Sequence, residues 1–459
     1  MSETAENAET TEIVLDQDRT DAVLEAVEAG DSEQLHVLLD ALHPADIADL
    51  LEQISSSERE AFLAMWSGAD VADVLSELDE GLREDVIEQV DREALARGVR
   101  ELDTDDVVDL VADLEDEQKE TILGALEEGD RFAVEQSLSF PEYSAGRLMQ
   151  RDVVSAPEDW SVGQMIDFLR DRAEELPEQF YHVILLDPRM HPVANVTLGR
   201  LLSSRRSVRL RDIVEETFFT FEADEPQENV AYAFNQYHLI SAPVVDDADR
   251  LVGVITIDDA MIALSEEHEE DLLLLAGVGA DASMSDRVVD TVKARLPWLA
   301  VNLGTAIIAS LVIAQFEDAL AQIVALAVLM PIVASMGGNA GTQSLTVAVR
   351  ALATRDLTGS NVLRVIRREA LVGLTNGVFF ALVMGLIGGI WFSSAMIGGV
   401  LAVAMIVNLL AAALAGILIP VTLERLKLDP ALASGTFVTT VTDVVGFFAF
   451  LGLASRVLL

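Results

Sequence analysis

The sequence predicts a multidomain membrane protein: an all-α helical-repeat N-domain, a tandem pair of α/β modules, an acidic connecting helix and an all-α transmembrane domain with five spans. Three observations carry this. The 459 residues hold 78 Asp and Glu against 30 Lys and Arg, a formal charge of -48, yet mean hydropathy is +0.34. Charge and apolarity must therefore be segregated, and they are: from Leu296 onward there are seven acids and eight basic residues, while the first 295 residues hold the other 71 acids and only 22 bases. Finally, the apolar period changes along the chain from helical to strand-like, and then to unbroken runs long enough to cross a bilayer.

Residues 1–15 are acidic and polar, with neither a basic start nor an apolar run, and read as a disordered tail and not a secretory signal. Across 16–140 an amphipathic stripe returns every 24 residues: Ile47, Leu50, Leu51, Ile54; then Val71, Val74, Leu75, Leu78; then Leu95, Val99, Leu102. A further copy, Val107, Leu110, Val111, Leu114, comes early. This is the signature of a helical array. Acids flank the stripes at Asp46 and Asp49, Asp70 and Asp73, Asp106 and Asp109, where a solvated helix face is the plain explanation. Across 141–264, strands at Tyr181–Asp187 and Pro192–Thr197 recur 59 residues later at Ala242–Asp246 and Leu251–Thr256, so one α/β module occurs twice, at about 141–214 and 215–264. An acidic helix, 265–295, then leads to the membrane domain, 296–459.

Five spans follow: Trp298–Gln315, Ala319 to about Val349, Ala370–Phe392, Ala395–Leu423 and Leu432 to about Leu453, the second interrupted by a polar run. Five Arg lie between Arg350 and Arg368, and Arg425 and Lys427 follow the fourth span, so every basic loop falls on the side of the amino-terminal region. Cytoplasmic loops collect such residues. The expected topology is a multi-pass protein of the cell membrane, N-terminus cytoplasmic and C-terminus outside.

Composition also excludes. So acidic a soluble region repels nucleic acid, which is discarded as a partner. Without cysteine there is no disulfide and no thiolate metal site, so a metal would be held by oxygen or by one of six His. With three lysines only and an acid surplus spread throughout, the composition suggests a salt-rich, halophilic cytoplasm. No phosphate-binding loop supports ATP-driven pumping, and no hydrolase or transferase constellation is present: the chain is not read as an enzyme.

Inside hydrocarbon an ionisable side chain is costly and marks a path or a partner. Asp443, midway along the fifth span in TTVTDVVGFF, has Thr439, Thr440 and Thr442 beside it and no base within the span. The second span carries GGNAGTQS, with Asn339, Thr342 and Gln343; Asn302 and Asn408 add amides in the first and fourth. One carboxylate with neutral oxygens favours a cation path lined by Asn339, Thr342, Gln343 and Asn408. A two-fold dimer would bring two copies of Asp443 together, a donor set suited to hydrated Mg²⁺.

The second α/β copy, APVVDDADRLVGVITIDD, resembles a CBS domain, and the pair resembles tandem CBS modules. Thr256 and Asp259 fit that family's pattern for binding ATP or another adenine nucleotide; the first copy has Thr197 but Arg200 in place of the acid. Taken in order, the acidic N-domain, the CBS pair, the acidic helix, RLPWLAVN, GGNAGTQS, RALATRDL, DPALASG and TTVTDVVGFF resemble the MgtE family of magnesium transporters over about Asp16–Leu459. The resemblance implies a homodimeric, channel-like Mg²⁺ pathway lined by the second and fifth spans, with Asp443 as its selective carboxylate and Asp429 near the pore mouth. It further implies closure by cytoplasmic Mg²⁺ held by Glu267, Glu270 and Asp271 of the connecting "plug" helix, and by Asp259 facing Asp73 and Asp105 of the N-domain. Ile262, Pro226 and His238 stand where the family has acids, with Glu228 remaining nearby. Transport of another cation (Co²⁺, Mn²⁺, Na⁺), or a membrane-anchored CBS sensor without transport, are the alternatives.

Overall fold

The computed structural model describes residues 15, 17–66, 71–90, 92–112, 114, 116–173, 176–177, 179–280, 282, 288–432 and 435–459. Asp70 and, but for Leu15, the acidic tail lie outside the described residues. The chain forms two compact units, 1–265 and 266–459.

The first unit opens with ten helices: α1 Gln17–Ala29, α2 Ser32–Leu39, α3 Pro44–Gln53, α4 Ser56–Met65, α5 Val71–Ser76, α6 Glu80–Ile87, α7 Arg92–Gly98, α8 Thr104–Ala112, α9 Asp116–Leu123 and α10 Glu128–Ser137. The 24-residue period is a helix pair, α3 with α4 and then α5 with α6. Each stripe residue from Ile47 to Leu78 is buried in one shared core, and a buried arginine repeats with the period. Arg59 donates from Nε to Leu51 O at 2.8 Å and from Nη2 to Ile54 O at 3.3 Å. Arg83, 24 residues on, donates to Leu78 O at 2.7 Å and Ser76 O at 3.1 Å, and pairs with Asp109 at 2.8 Å. A helix end leaves carbonyls unpaired and carries partial negative charge, so each guanidinium closes the end of the preceding helix. Such charge-assisted bonds are worth about 1.5–3 kcal/mol each.

The α/β pair follows: α11 Ala145–Leu148, β1 Ser155–Pro157, α12 Val162–Asp171, β2 His182–Leu186, β3 Pro192–Thr197, α13 Leu198–Ser203, β4 Phe221–Glu222, α14 Gln227–Tyr237, β5 Ser241–Val245 and β6 Leu251–Thr256. Each copy is a three-stranded sheet, β1-β2-β3 or β4-β5-β6, with one parallel and one antiparallel pairing. The 59-residue offset holds in detail. Asp187 Oδ1 accepts from Arg189 N and His191 N, as Asp246 Oδ1 does from Ala248 N and Arg250 N, and Met190 and Asp249 both take a left-handed turn, at φ 70° and 57°. Where the copies meet, equivalent residues touch: His182 Nδ1 lies 2.6 Å from Ser241 Oγ.

One helix, α15 Ile257–Ala276, begins at the end of β6 and runs on into the connecting segment. It stops at Gly277 (φ +74°), where Gly277 N and Val278 N fold back onto Leu274 O and Leu273 O, the glycine-terminated helix end expected of a residue without a Cβ. The single connecting helix expected over 265–295 is thus corrected: the second half of α15 ends here, and α16 begins at Val288, residues 281 and 283–287 lying outside the described ones.

In the second unit, α16 Val288–Ala314, α18 Val324–Ala353, α19 Val362–Trp391, α20 Ala395–Arg425 and α21 Gly435–Val457 are the five helices, among the described residues, long and apolar enough to span a membrane; α17 Glu317–Gln322 is a short link. Two expectations are corrected. GGNAGTQS does not interrupt its span: α18 is continuous, because Thr342 and Thr346 return their hydroxyls to Gly338 O and Thr342 O at 3.0 Å, leaving no donor to break the helix. The helix that carries the third span starts at Val362, ahead of the Ala370 expected for the span itself, since Arg364, Arg367 and Arg368 are good helix formers that hydropathy reads as loop.

His182 is held neutral, its pKa lowered by burial against the weaker opposing pull of Glu215. A depressed imidazole contributes stability above its unfolded value of about 6.5 and loses it as pH falls through the folded value. Thermal unfolding of the soluble unit in the full chain should therefore weaken below about pH 6.5, and His182→Gln should flatten that segment of the profile; identical profiles would discount the contact.

Candidate functional site

Acids gather where α8 begins. Asp103 precedes the helix, and Asp105 and Asp106 occupy its first turn, where the helix dipole favours negative charge. One ligand oxygen from each lies within 4.8 Å of the others. Asp105 is only 7% exposed, and its Oδ1 is buried without a hydrogen-bond partner among the described residues.

Across from them stands Asp259 in the first turn of α15, whose side chain meets that of Asp105. Burial, then the charge of Asp259, drives Asp105 well above the usual carboxylate range. The same causes raise Asp106 to about 7. Asp259 is raised to about 6, chiefly by burial, although a bond from Thr256 opposes this. Two carboxylates in contact need a shared proton or a cation between them. Thr256, at the end of β6, is buried with its hydroxyl on Asp258 and, at 2.6 Å, on Asp259 Oδ2.

Of the site residues expected from sequence, Asp105 and Asp259 are brought together. Asp73 is exposed on α5 and Glu228 at the start of α14, and neither belongs to the 4.8 Å group. Asp103 and Asp106 take that place. Sequence pattern flagged Asp106 only as one of many acids beside a stripe and missed Asp103; the clustering at one helix start was the available signal.

In the second unit Glu267, Glu270 and Asp271 are half-buried on the face of α15 that ends in buried Leu274, and Leu274 packs with Leu345 and Val349 of α18 and Val438 of α21. Asp429 is exposed, its Oδ1 accepting from Ala431 N at 2.7 Å to shape the turn before α21.

The residues of GGNAGTQS divide by face. Gly337, Gly338 and Gly341 are packed inward, whereas Asn339, Thr342 and Gln343 are exposed, joined by Ser335 and Thr346 one turn to either side. On neighbouring α21, Thr436, Thr440 and Asp443 follow at i, i+4 and i+7 on a half-buried face. The two faces adjoin: a Cβ on Gly435 would sit 3.8 Å from Thr342 Oγ1, and one on Gly338 3.3 Å from Thr439.

Asn408 differs from the lining residue expected. It is 0% exposed, donates from Nδ2 to Val333 O at 2.8 Å, and leaves Oδ1 buried without a partner among the described residues. Gly337 of α18 and Gly446 of α21 make its room, since a Cβ there would fall 2.2 and 2.8 Å from Nδ2. Enclosed by its own chain, Asn408 pins the crossing of α18, α20 and α21.

Two outcomes follow. In chelator, the raised carboxylates bind protons in the folded contact that the unfolded chain releases above about 3.8, so stability falls as pH rises through about 6 to 7. Divalent cation should abolish that slope, and Asp105→Asn with Asp106→Asn should flatten its upper part in thermal melts of the full chain, leaving the contribution of Asp259 near 6; a wild-type slope of the opposite sign would refute the assignment. For the membrane unit, Gly337→Ala should cost about 1–3 kcal/mol by overpacking. Gly399→Ala, whose Cβ meets nothing within 4 Å, is the control in the same unfolding assay.

The arrangement can be set beside known proteins. A profile described as divalent cation transporter matches residues 330–453, the MgtE intracellular N domain matches 42–143, and a CBS domain matches 210–266. Magnesium transporter MgtE of Enterococcus faecalis is 32% identical over 70% of this chain and 71% of its own length. That of Thermus thermophilus is 32% identical over 72% and 73%, and that of Bacillus subtilis 29% over 81% and 82%. The solved cytosolic domain of the Mg²⁺ channel MgtE in complex with ATP aligns at 27% identity and a TM-score of 0.49, covering 53% of this chain and 99% of that one. With relatives this similar over more than two thirds of both sequences, the chain belongs to the MgtE family.

Proposed function

We propose that the chain is a Mg²⁺-selective, channel-like transporter that imports magnesium across the cell membrane as a homodimer and is closed by Mg²⁺ bound to its acidic cytoplasmic domains. The carrying observation is the polar face of α18, Ser335 to Thr346, lying exposed beside Asp443 of α21. Hydrocarbon does not tolerate such a face, so it must meet water or a second copy. A two-fold partner would set Asp443 and the amides and hydroxyls of Asn339, Thr342 and Gln343 around one path. Carboxylate with neutral oxygen, and no sulfur ligand, suits a hard ion that keeps part of its water. Magnesium transporters at 32% identity support that ion.

Regulation is supported by the contact of Asp103, Asp105 and Asp106 with Asp259. Without a divalent ion the facing carboxylates repel; with one, N-domain and second CBS module close. Glu267, Glu270 and Asp271 supply further oxygens on α15, Asp429 stands before α21, and Asp73 and Glu228 are outer acids available to additional ions. Adenine nucleotide is a second ligand for a CBS pair, but a triphosphate at Thr256 and Asp259 would face the α8 acids, and we assign Asp259 to the cation.

Mg²⁺ flux into proteoliposomes in molar KCl tests both parts. Asp443→Asn should reduce flux by about tenfold or more, or lose discrimination among divalent ions, since it removes the charge of a low-dielectric path. Asp105→Asn with Asp259→Asn, or Glu267→Gln with Glu270→Gln and Asp271→Asn, should leave flux intact and move closure to higher Mg²⁺. A wild-type protein carrying no divalent ion at any Mg²⁺ concentration would return the chain to the sensor reading.

A further inference from the structure

We propose that the N-terminal turns of α19 form a binding site for an anionic phospholipid, its phosphate held by Arg364, Arg367 and Arg368 and an acyl chain lying along Leu371 and Val372. The chain has 78 acids, and some of its arginines are held by them, as Arg83, Arg131, Arg206 and Arg250 are. Among the described residues, none of the three α19 arginines has an ion pair, and all three are exposed. The one acid in this stretch, Glu369, is used elsewhere, accepting from Ser344 Oγ at 3.2 Å.

Their spacing, i, i+3 and i+4, puts three guanidinium groups on one helical face. The same face continues with Leu371, 65% exposed, Val372, 43% exposed, and then Thr375 and Asn376. Together these residues line a shallow groove of about 590 Å³. Nothing else in the chain covers it among the described residues, because α19 packs chiefly on α20 from the opposite side, closely enough that a Cβ on Gly398 would fall 2.3 Å from Gly385 O.

Depth and chemistry select the occupant. At 1.5 Å per residue, the 30 residues of α19 outrun a hydrocarbon layer of about 30 Å, so the helix end sits at headgroup level. Guanidinium forks match phosphate oxygens. Leu371 and Val372 then lie at the depth where acyl chains begin, which a soluble phosphate would leave unused. A second copy on this face would oppose two arginine triads across a two-fold axis, an unfavourable pairing.

The test is native mass spectrometry of the full chain in detergent, titrated with phosphatidylglycerol or with phosphatidylcholine of the same acyl chains. Phosphatidylglycerol should be retained preferentially, with the preference shrinking as salt rises. Each basic residue near such a surface is worth about fivefold in binding. The Arg364→Gln, Arg367→Gln, Arg368→Gln variant should thus bind phosphatidylglycerol roughly a hundredfold more weakly, while Arg170→Gln, Arg205→Gln, Arg211→Gln in the soluble unit should change nothing. The Lys triple variant, which keeps charge, should retain most of the preference and serves if the Gln variant fails to fold. Equal retention of the two lipids, undiminished binding by a folded Gln variant, or displacement by inorganic phosphate at equal concentration would each overturn the proposal, as would a Gln variant that alters only the oligomeric state. The assay reads no ion flux, so its result stands apart from the transport reading.

Discussion

Two carboxylates that touch away from water set the terms for the rest of the soluble unit. At about 4 Å and an effective dielectric near 20, like unit charges repel by about 4 kcal/mol. The contact between Asp105 and Asp259 is therefore stable only when a proton or a cation resides there. Every neighbouring choice sharpens this requirement. Asp103 and Asp106 add charge at the same helix start, and Arg83, the nearest buried base in sequence, is spent on Leu78 O, Ser76 O and Asp109. Thr256 offers its one hydroxyl to both Asp258 and Asp259. Among the described residues the site is lined by carboxylate and hydroxyl oxygen. In concentrated salt the Debye length falls to about 3 Å at 1 M, so diffuse repulsion among the other acids is screened and the few carboxylates in direct contact decide the balance.

The membrane unit answers the opposite constraint. There the backbone satisfies itself, and the question is which side chains are allowed to be polar. In α18 the division is made by helical face: small residues where α20 and α21 press close, amides and hydroxyls where the chain leaves the helix uncovered. Asn408 belongs to the first category in spite of its chemistry. Its amide fills the space that Gly337 and Gly446 vacate and fixes α18 to α20 through Val333 O, which sets the position of α21 one turn from Asp443.

Long-period signals were the legible part. Five spans, the 24-residue and 59-residue repeats and four of the six strands follow from periodicity, because each spans enough residues for the pattern to exceed noise. The remaining strands, β1 and β4, have three and two residues, too few for any alternation to register. The helical continuity of α18 was hidden because glycine, asparagine and threonine read as a break in water, whereas in a tightly packed bundle the hydroxyls return to the helix itself. Hydropathy also hid the first turns of α19. Within the acidic region, composition by itself concealed the site among 71 acids before Leu296; the family resemblance offered Asp73 and Asp105 alike, and the fold separates them by burying Asp105 and leaving Asp73 exposed. Asn408 was misread for a related reason, since sequence registers an amide in a span but not the glycines that enclose it.

One helix joins the two sets of constraints. Asp259 occupies the first turn of α15 and Leu274 its last. A helix transmits displacement because its hydrogen bonds resist stretching, and it can do so only as far as its end. That end is set by Gly277, the one residue type that takes φ +74° without strain. Under the proposed gating, a cation drawn between Asp105 and Asp259 acts on the start of the rod, and the half-buried face of Glu267, Glu270, Asp271 and Leu274 carries the consequence toward Leu345, Val349 and Val438 at the ends of α18 and α21. In the proposed gating the acids on that face answer the same ion, so both ends favour the closed arrangement under the same condition. Coupling of this kind requires no change within the membrane helices themselves, only a change in where α15 is held.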